Sequence, residues 1–222
     1  MTDTKWAEVD EYLSALHIGR DAALDGAAEA TVAAGLPPIA VTPNQGKLLH
    51  LLARMLHARA ILEIGTLGGY STIWLARGLE PGGRVVTLEI DQKHADVAAA
   101  SIAKAGLGDV VEIHVGKAIE TLPQLAHSGD APFDLIFIDA DKKSIPEYFE
   151  WALKLSRPGT LILVDNVVRA GNVVNADSPD ADIQGVRRFN EIVAREPRVT
   201  VTTIQTVGSK GYDGLAFVLV TG

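Results

Sequence analysis

The stretch FDLIFIDADK (residues 133–142) carries an apolar run straight into two acids and a lysine, and VDN (residues 164–166) repeats the change from apolar to oxygen-bearing side chains. Apolar runs of this length are typical of buried strands in a parallel sheet. Ligands of open α/β sheets bind at the carboxyl ends of such strands. We therefore expect Asp139, Asp165 and Asn166 to meet at one edge of a sheet.

Strands and helices alternate through the centre of the chain. The apolar patterns predict five strands, at residues 60–64, 84–89, 110–115, 133–138 and 160–164. Helical patterns separate them, at residues 71–77, 92–105, 118–126 and 146–155. This alternation indicates βαβ units and a parallel sheet. A further helix after Asp182 precedes apolar stretches at 199–204 and 215–220, which predict a strand pair with one antiparallel member.

The amino-terminal part of the chain has a different, helical character. Its first forty residues are alanine-rich, GLPP (residues 35–38) breaks the pattern, and a second helix is predicted from Pro43. A chain of 222 residues favours one domain with a sizeable core. We expect a single domain over 1–222, with a helical lid region at 1–57 and an α/β core at 58–222.

Composition excludes several classes of function. The formal net charge of −8 argues against nucleic acid and anionic membranes as partners, since phosphate binding needs a basic surface. The absence of cysteine excludes disulfides, thiolate metal sites and cysteine nucleophiles. No signal-like start and no apolar run of membrane-spanning length are present, so we expect a soluble cytoplasmic protein.

A strand, a glycine turn and a helix start lie in LEIGTLGGYS (residues 62–71). Glycine permits special backbone angles and close approach of a ligand, although a tight turn without ligand explains it too. Leu67 stands where the dinucleotide motif G-x-G-x-x-G has its second glycine, which favours a nucleotide without a diphosphate. Glu89 ends the next strand and could accept hydrogen bonds from ribose hydroxyls, either of a nicotinamide cofactor or of S-adenosylmethionine (SAM).

The acids after the two central strands indicate a metal site. Two carboxylates and an amide oxygen suit a hard divalent cation such as Mg²⁺. Lys142 follows Asp139 by three residues and is a candidate base, and Lys143 beside it could serve the same role.

Taken together, these segments resemble the cation-dependent O-methyltransferases, the family of the caffeoyl-CoA and catechol O-methyltransferases. The resemblance runs from about Val41 to the carboxyl terminus, and it rests on LEIGTLGGYS, TLEID, VGKA, FDLIFIDADK and VDNVVRAGNV. It implies a Rossmann-like, seven-stranded, mostly parallel sheet with helices on both faces, a helical amino-terminal lid and a homodimer. The implied reaction is Mg²⁺-dependent methylation of one hydroxyl of a vicinal-diol aromatic small molecule, with SAM as donor; Ca²⁺ or Mn²⁺ could replace Mg²⁺.

The resemblance also implies roles for individual residues. Lys142 would be catalytic, and the metal would be held by Asp139, Asp165 and Asn166. SAM would contact Val41, Glu63, Gly65, Leu67, Ser71, Glu89, Ala118 and Asp139.

This chain departs from the family pattern around the acceptor. Ala140 stands where the catechol enzymes have a histidine, and Val167 follows Asn166 where the plant enzymes have an aromatic residue nearby. The segment 171–184 is either a variable acceptor loop or a plain surface loop. Asp213 matches a late family aspartate near the acceptor, although a strand-entry turn explains it almost as well. A nicotinamide-dependent oxidoreductase and a non-catalytic SAM-binding protein are the alternatives.

Overall fold

The computed structural model describes residues 3–222; Met1 and Thr2, which begin the predicted lid region, lie outside the described residues. The helices are α1 (Asp3–His17), α2 (Ala22–Ala33), α3 (Pro43–Met55), α4 (Tyr70–Ala76), α5 (Gln92–Lys104), α6 (Ala118–Ser128), α7 (Ile145–Lys154) and α8 (Ala181–Arg195). The strands are β1 (Ala60–Ile64), β2 (Arg84–Glu89), β3 (Val111–Val115), β4 (Leu135–Ile138), β5 (Leu161–Asp165), β6 (Val199–Gly208) and β7 (Gly211–Val220). Short 3-10 turns follow β4 at Lys142–Ser144 and β5 at Asn172–Val174.

The strands form one seven-stranded sheet in the order β3-β2-β1-β4-β5-β7-β6. β1 to β5 pair in parallel, whereas β7 runs antiparallel to both β5 and β6. The order of the strands reverses between β1 and β4, and ligands of open α/β sheets bind in the crevice at such a point. The predicted mostly parallel sheet, with one antiparallel member in its final strand pair, is confirmed.

Helices cover both faces of the sheet because its central strands are apolar on both sides. In β1, Leu62 and Ile64 pack in a cluster that includes Phe149 of α7. Ile61, which precedes Leu62, packs on the opposite face in a cluster that includes Ile73 of α4. All four residues of β4 are buried, as expected for a central parallel strand.

Two parts of the chain differ from the sequence prediction. The alanine-rich start is two helices, because the chain bends at Gly19 and Asp21 caps α2 by accepting hydrogen bonds from two backbone N–H groups. The final strands extend beyond their apolar segments into a hairpin, with Gln205 opposite Gly214 and Gly208 opposite Gly211. This polar extension lies at an edge that is exposed, so burial imposes no apolar pattern on it.

Over residues 3–222, no helix combines the length and the apolar character that crossing a bilayer requires. The cytoplasmic location remains a prediction.

Candidate active site

Three adjacent strands bring the predicted acids to one edge of the sheet. Ile64, Ile138 and Val164 are aligned across β1, β4 and β5, so Gly65, Asp139 and Asp165 are the next residues in register. The Asp139 N–H donates to the Ile64 carbonyl at 2.9 Å, which continues the pairing one residue past the strands. Asn166 follows with a left-handed backbone, at φ 59°.

The carboxyl group of Asp165 is strongly influenced by its surroundings. Its side chain is buried, and desolvation followed by the charge of Asp139 raises the pKa of Asp165 to about 7. The opposing effect of Lys142 is smaller. Two carboxylates that oppose each other's ionisation form a site that favours a positive charge between or beside them.

Lys142 is the cation closest to these acids. Its Nζ donates to Asp139 Oδ1 at 2.7 Å, and the lysine side chain is buried in the first turn after β4. Lys143, the alternative to Lys142, is exposed, and its backbone N–H donates to Asp182. The geometry therefore associates Lys142, rather than Lys143, with the pair of acids Asp139 and Asp165, called the acid cluster below.

The predicted lid region contributes a contact that sequence reasoning missed. Thr42 caps α3, with Pro43 in the first turn, and this places Gln45 at the start of the helix. Gln45 Nε2 donates to Asp165 Oδ2 at 2.7 Å. Val41, a predicted cofactor contact, is buried just before this cap. The residue pair Gln45 and Asp165 is separated by 120 positions, so no local pattern could have indicated it.

Gly65 is held by a close approach between two strand ends. Its φ is +101°, and a Cβ at this position would lie 2.2 Å from the Asp139 carbonyl oxygen. Only glycine fits both the angle and the contact. The nearest atom is thus protein backbone, and the glycine is required here whether or not a ligand is bound.

Glu89 supports the turn that follows β1. Its Oε2 accepts hydrogen bonds from the backbone N–H groups of Thr66, at 3.2 Å, and Leu67, at 2.8 Å. Its Oε1 accepts from the Asp91 N–H at 3.0 Å. Glu89 therefore fixes the glycine turn from β2, and its predicted contact with a ribose remains a prediction.

Glu63 and Ser71 form a buried polar cluster behind the same turn. The Ser71 hydroxyl donates to Glu63 Oε1 at 2.6 Å, and the Thr72 and Thr87 hydroxyls donate to Oε2. Glu63 is fully buried, and desolvation raises its pKa to about 7 despite these hydrogen bonds. Both carboxylate oxygens already have protein partners, so Glu63 can orient Ser71, and its own contact with SAM stays a prediction.

The remaining predicted residues lie around the same edge. Leu67 has a left-handed backbone at φ 51°, in the turn held by Glu89. Ala118 is the first residue of α6, after the end of β3. Within the predicted acceptor loop 171–184, the chain forms the turn Asn172–Val174 and then the first residues of α8.

Asp213 lies beside the segment that follows β5. Its Oδ1 accepts hydrogen bonds from the backbone N–H groups of Val168, Arg169 and Gly214, each at 2.9 Å. These partners are backbone groups, which every residue except proline has, so the side chains in the sequence do not indicate which residues Asp213 contacts.

The donor atoms at the acid edge fit a hard cation. Asp139 and Asp165 supply carboxylate oxygens at adjacent strand ends, and Asn166 can add an amide oxygen, the ligand types that Mg²⁺, Ca²⁺ and Mn²⁺ take. In the described part of the chain no three His, Cys, Asp or Glu residues are grouped to hold a metal ion. A cation here would therefore depend on the amide as well as on the two acids.

Comparison with known proteins places this arrangement in a family. The family model described as O-methyltransferase matches residues 15–219. The catechol O-methyltransferase of Niastella koreensis is 52% identical over 220 residues, covering 99% of this chain and 100% of that protein.

Two solved structures share the fold throughout. The O-methyltransferase from Bacillus cereus in complex with SAH has a TM-score of 0.98 and 55% identity, covering 99% of this chain and 100% of that one. The O-methyltransferase TomG from Streptomyces achromogenes, in complex with SAM, has a TM-score of 0.97 and 56% identity, covering 100% of both chains. The predicted enzyme class is confirmed, the oxidoreductase alternative is wrong, and the chain belongs to the O-methyltransferase family.

Proposed function

We propose that the protein transfers the methyl group of SAM to one hydroxyl of a vicinal-diol aromatic acceptor, with the help of Mg²⁺ or another divalent cation. The observation that carries the proposal is the edge where Asp139 and Asp165 follow aligned strands and Lys142 lies against Asp139. The SAM and SAH found in the related structures support the donor. The catechol O-methyltransferase relative supports the acceptor class.

The two bound groups would supply most of the chemistry. SAM provides an electrophilic methyl group on sulfur, and a divalent cation lowers the pKa of a hydroxyl that contacts it. Asp139, Asp165 and Asn166 would hold the cation. The chain's further task is to keep the acceptor oxygen and the methyl carbon close and in line, which can account for much of a rate enhancement.

Lys142 would receive the proton that the acceptor hydroxyl loses. A lysine amine accepts a proton only in its neutral form, which a cation bound nearby would favour. The Lys142 side chain is buried, and its Nζ donates to Asp139 Oδ1 at 2.7 Å, beside the proposed cation site. The neutral Lys142 amine would take up the hydroxyl proton, and SAM would supply the methyl group to the acceptor oxygen and leave as the neutral sulfide.

The cofactor would lie over the turn after β1. We propose that Gly65 and Leu67 contact it through the backbone, Ser71 through its hydroxyl and Glu89 through the ribose. Val41 and Ala118 would border it from the lid region and from α6. Glu63 would act mainly by fixing the Ser71 hydroxyl, to which it is hydrogen-bonded at 2.6 Å.

The reaction is tested by methyl transfer from labelled SAM to a panel of catechols, with Mg²⁺ and with EDTA. We expect product that disappears with EDTA. Product in both conditions would refute the cation-dependent mechanism. No product in either condition, with SAM binding verified by calorimetry, would support the non-catalytic alternative or an acceptor outside this class.

Adjacent lysines provide a matched test of the base. We expect Lys142→Ala to reduce kcat strongly and Lys143→Ala to leave it nearly unchanged, because only Lys142 contacts the acid cluster. Lowering the acceptor pKa with a nitro substituent should partly restore Lys142→Ala. Equal activity of both variants would exclude Lys142 as the base.

We also propose that residues 1–57 form a lid and that the chain assembles as a homodimer. Apolar side chains are exposed on the outer face of α1 at Val9, Tyr12 and Leu16. Asp10 of α1 accepts a hydrogen bond from Ser209, in the turn that follows the edge strand β6, and β6 also exposes apolar residues. A second copy of this chain would cover that surface. Light scattering should give a molar mass twice that of one chain, and the Tyr12→Glu variant should give a lower molar mass.

A further inference from the structure

We infer that Asp213 is a positioning residue: from β7 it holds the segment Asn166–Gly171 in the shape that presents Asn166 to the proposed cation. The inference deepens the proposed function and rests on it. It assigns Asp213 a role toward the backbone of a metal-binding segment, instead of direct contact with the acceptor.

The segment after β5 has an unfavourable backbone. Asn166, Arg169 and Ala170 have φ values of 59°, 54° and 52°, and Gly171 has 84°. A residue other than glycine in this region costs about 1–2 kcal/mol, least for asparagine. The segment therefore needs contacts from elsewhere in the fold to keep this conformation.

Asp213 provides the strongest of these contacts. One carboxylate oxygen accepts the N–H groups of Val168 and Arg169 in the segment and of Gly214 in its own strand. Arg169 Nη1 lies 3.9 Å from the other oxygen. Hydrogen bonds to an ionised acceptor are about twice as strong as neutral ones, and here one oxygen holds two consecutive amides of the segment.

Gly214 holds the same segment independently of charge. Its carbonyl accepts the Val167 N–H at 3.1 Å. A Cβ at position 214 would lie 2.4 Å from Val168 Cγ2 and 3.0 Å from the Ile204 carbonyl oxygen. The segment thus packs directly on the backbone of β7, at a place where any larger residue would displace it.

The position of Asn166 follows from these contacts. Asp165 is paired with Leu215 of β7, and Val167 and Val168 are bound to the next residues of that strand, Gly214 and Asp213. Asn166 is therefore fixed on both sides by β7. Substituting residues that orient metal ligands typically lowers metal affinity by about 10- to 100-fold.

The test measures Mn²⁺ binding by electron paramagnetic resonance and SAM binding by calorimetry on the full-length protein. We expect Asp213→Ala to weaken Mn²⁺ binding by about 10- to 100-fold. SAM affinity should stay within twofold. Asp213→Asn keeps an acceptor oxygen, so its Mn²⁺ affinity should fall less than that of Asp213→Ala. Gly214→Ala leaves every charge in place and should weaken Mn²⁺ binding too, and adding Val168→Ala should restore part of the loss.

Asp134→Ala is the matched control for general destabilisation. Asp134 likewise accepts two backbone N–H groups, from Arg59 and Ala60, at the opposite end of the sheet. The Asp134→Ala variant should have a lower Tm and an unchanged Mn²⁺ affinity.

Each outcome bears on the inference. Weakened Mn²⁺ binding in both Asp213→Ala and Gly214→Ala supports positioning. A loss in Asp213→Ala alone would indicate an effect of charge and overturn it, as would unchanged Mn²⁺ affinity with a raised acceptor KM. Wild-type protein that binds no Mn²⁺ would overturn the proposed cation site and this inference together.

Discussion

Replacing Glu63 with glutamine should remove a pH-dependent loss of stability that the wild-type protein carries. Glu63 is fully buried and accepts hydrogen bonds from three hydroxyl groups. Desolvation nevertheless dominates and raises its pKa from the ordinary value of 4.5 to about 7. Glutamine has nearly the same shape and does not ionise, so the comparison isolates the charge.

The sign follows from which state holds the proton. Between pH 4.5 and about 7 the folded protein retains a proton that the unfolded chain has lost, so the free energy of unfolding falls as pH rises. A pKa moved from 4.5 to about 7 corresponds to about 3 kcal/mol. Glu63 therefore contributes its full stability below pH 4.5, and that contribution is lost by about pH 7.

Urea unfolding at several pH values from 4.5 to 8 measures this dependence. We expect the free energy of unfolding of Glu63→Gln, minus that of the wild type, to rise by about 3 kcal/mol over this range. A difference in unfolding free energy that is the same at every pH does not affect the test, because the measured quantity is the change of this difference with pH. Glu150→Gln, at an exposed position, removes a carboxyl group that is not desolvated and is the matched control. A pH-independent difference for Glu63→Gln would refute the raised pKa.

Three further results are expected. Glu89→Ala should weaken SAM binding by calorimetry at least tenfold, because the turn after β1 loses its buried acceptor; an unchanged Kd would exclude the proposed ribose contact. Gln45→Glu places a third carboxylate against Asp165 and should lower the Tm without cation more at pH 8 than at pH 5, whereas equal losses would contradict a charge effect. Asp134→Asn should lose about 2 kcal/mol of unfolding free energy at pH 7. Desolvation alone would raise the pKa of Asp134, but the hydrogen bonds from Arg59 and Ala60 and the contact with Arg157 together lower it, so this loss should shrink as pH falls below 3.8.

Periodicity was sufficient to predict the order of the elements. The apolar runs before Asp139 and Asp165 have the continuous pattern of strands buried on both faces, and both are central strands of the sheet. The final hairpin was underestimated, because Gln205 to Gly208 pair at an exposed edge without any apolar pattern. Pairing of this kind is set by the turn and by the neighbouring strand, which a local pattern does not contain.

The site was predictable as far as it depends on strand ends. Lys142 and Asp139 are three residues apart, and the acids follow two neighbouring strands, so their proximity followed from the fold class. The contact of Gln45 with Asp165 depends on how α3 packs, and that of Asp213 depends on backbone N–H groups. Glutamine side chains and backbone N–H groups have the same chemistry wherever they occur in a chain. The sequence therefore does not show which of them make such contacts.

The contact between Gly65 and Asp139 has a consequence for how such motifs evolve. A side chain at Gly65 would collide with the Asp139 carbonyl, so folding alone selects glycine at this position. A descendant that no longer used a methyl donor would still keep this residue, while positions free of that collision would drift. Loss of activity in a lineage should therefore appear first at Lys142, and the glycine would still be present after the reaction is lost.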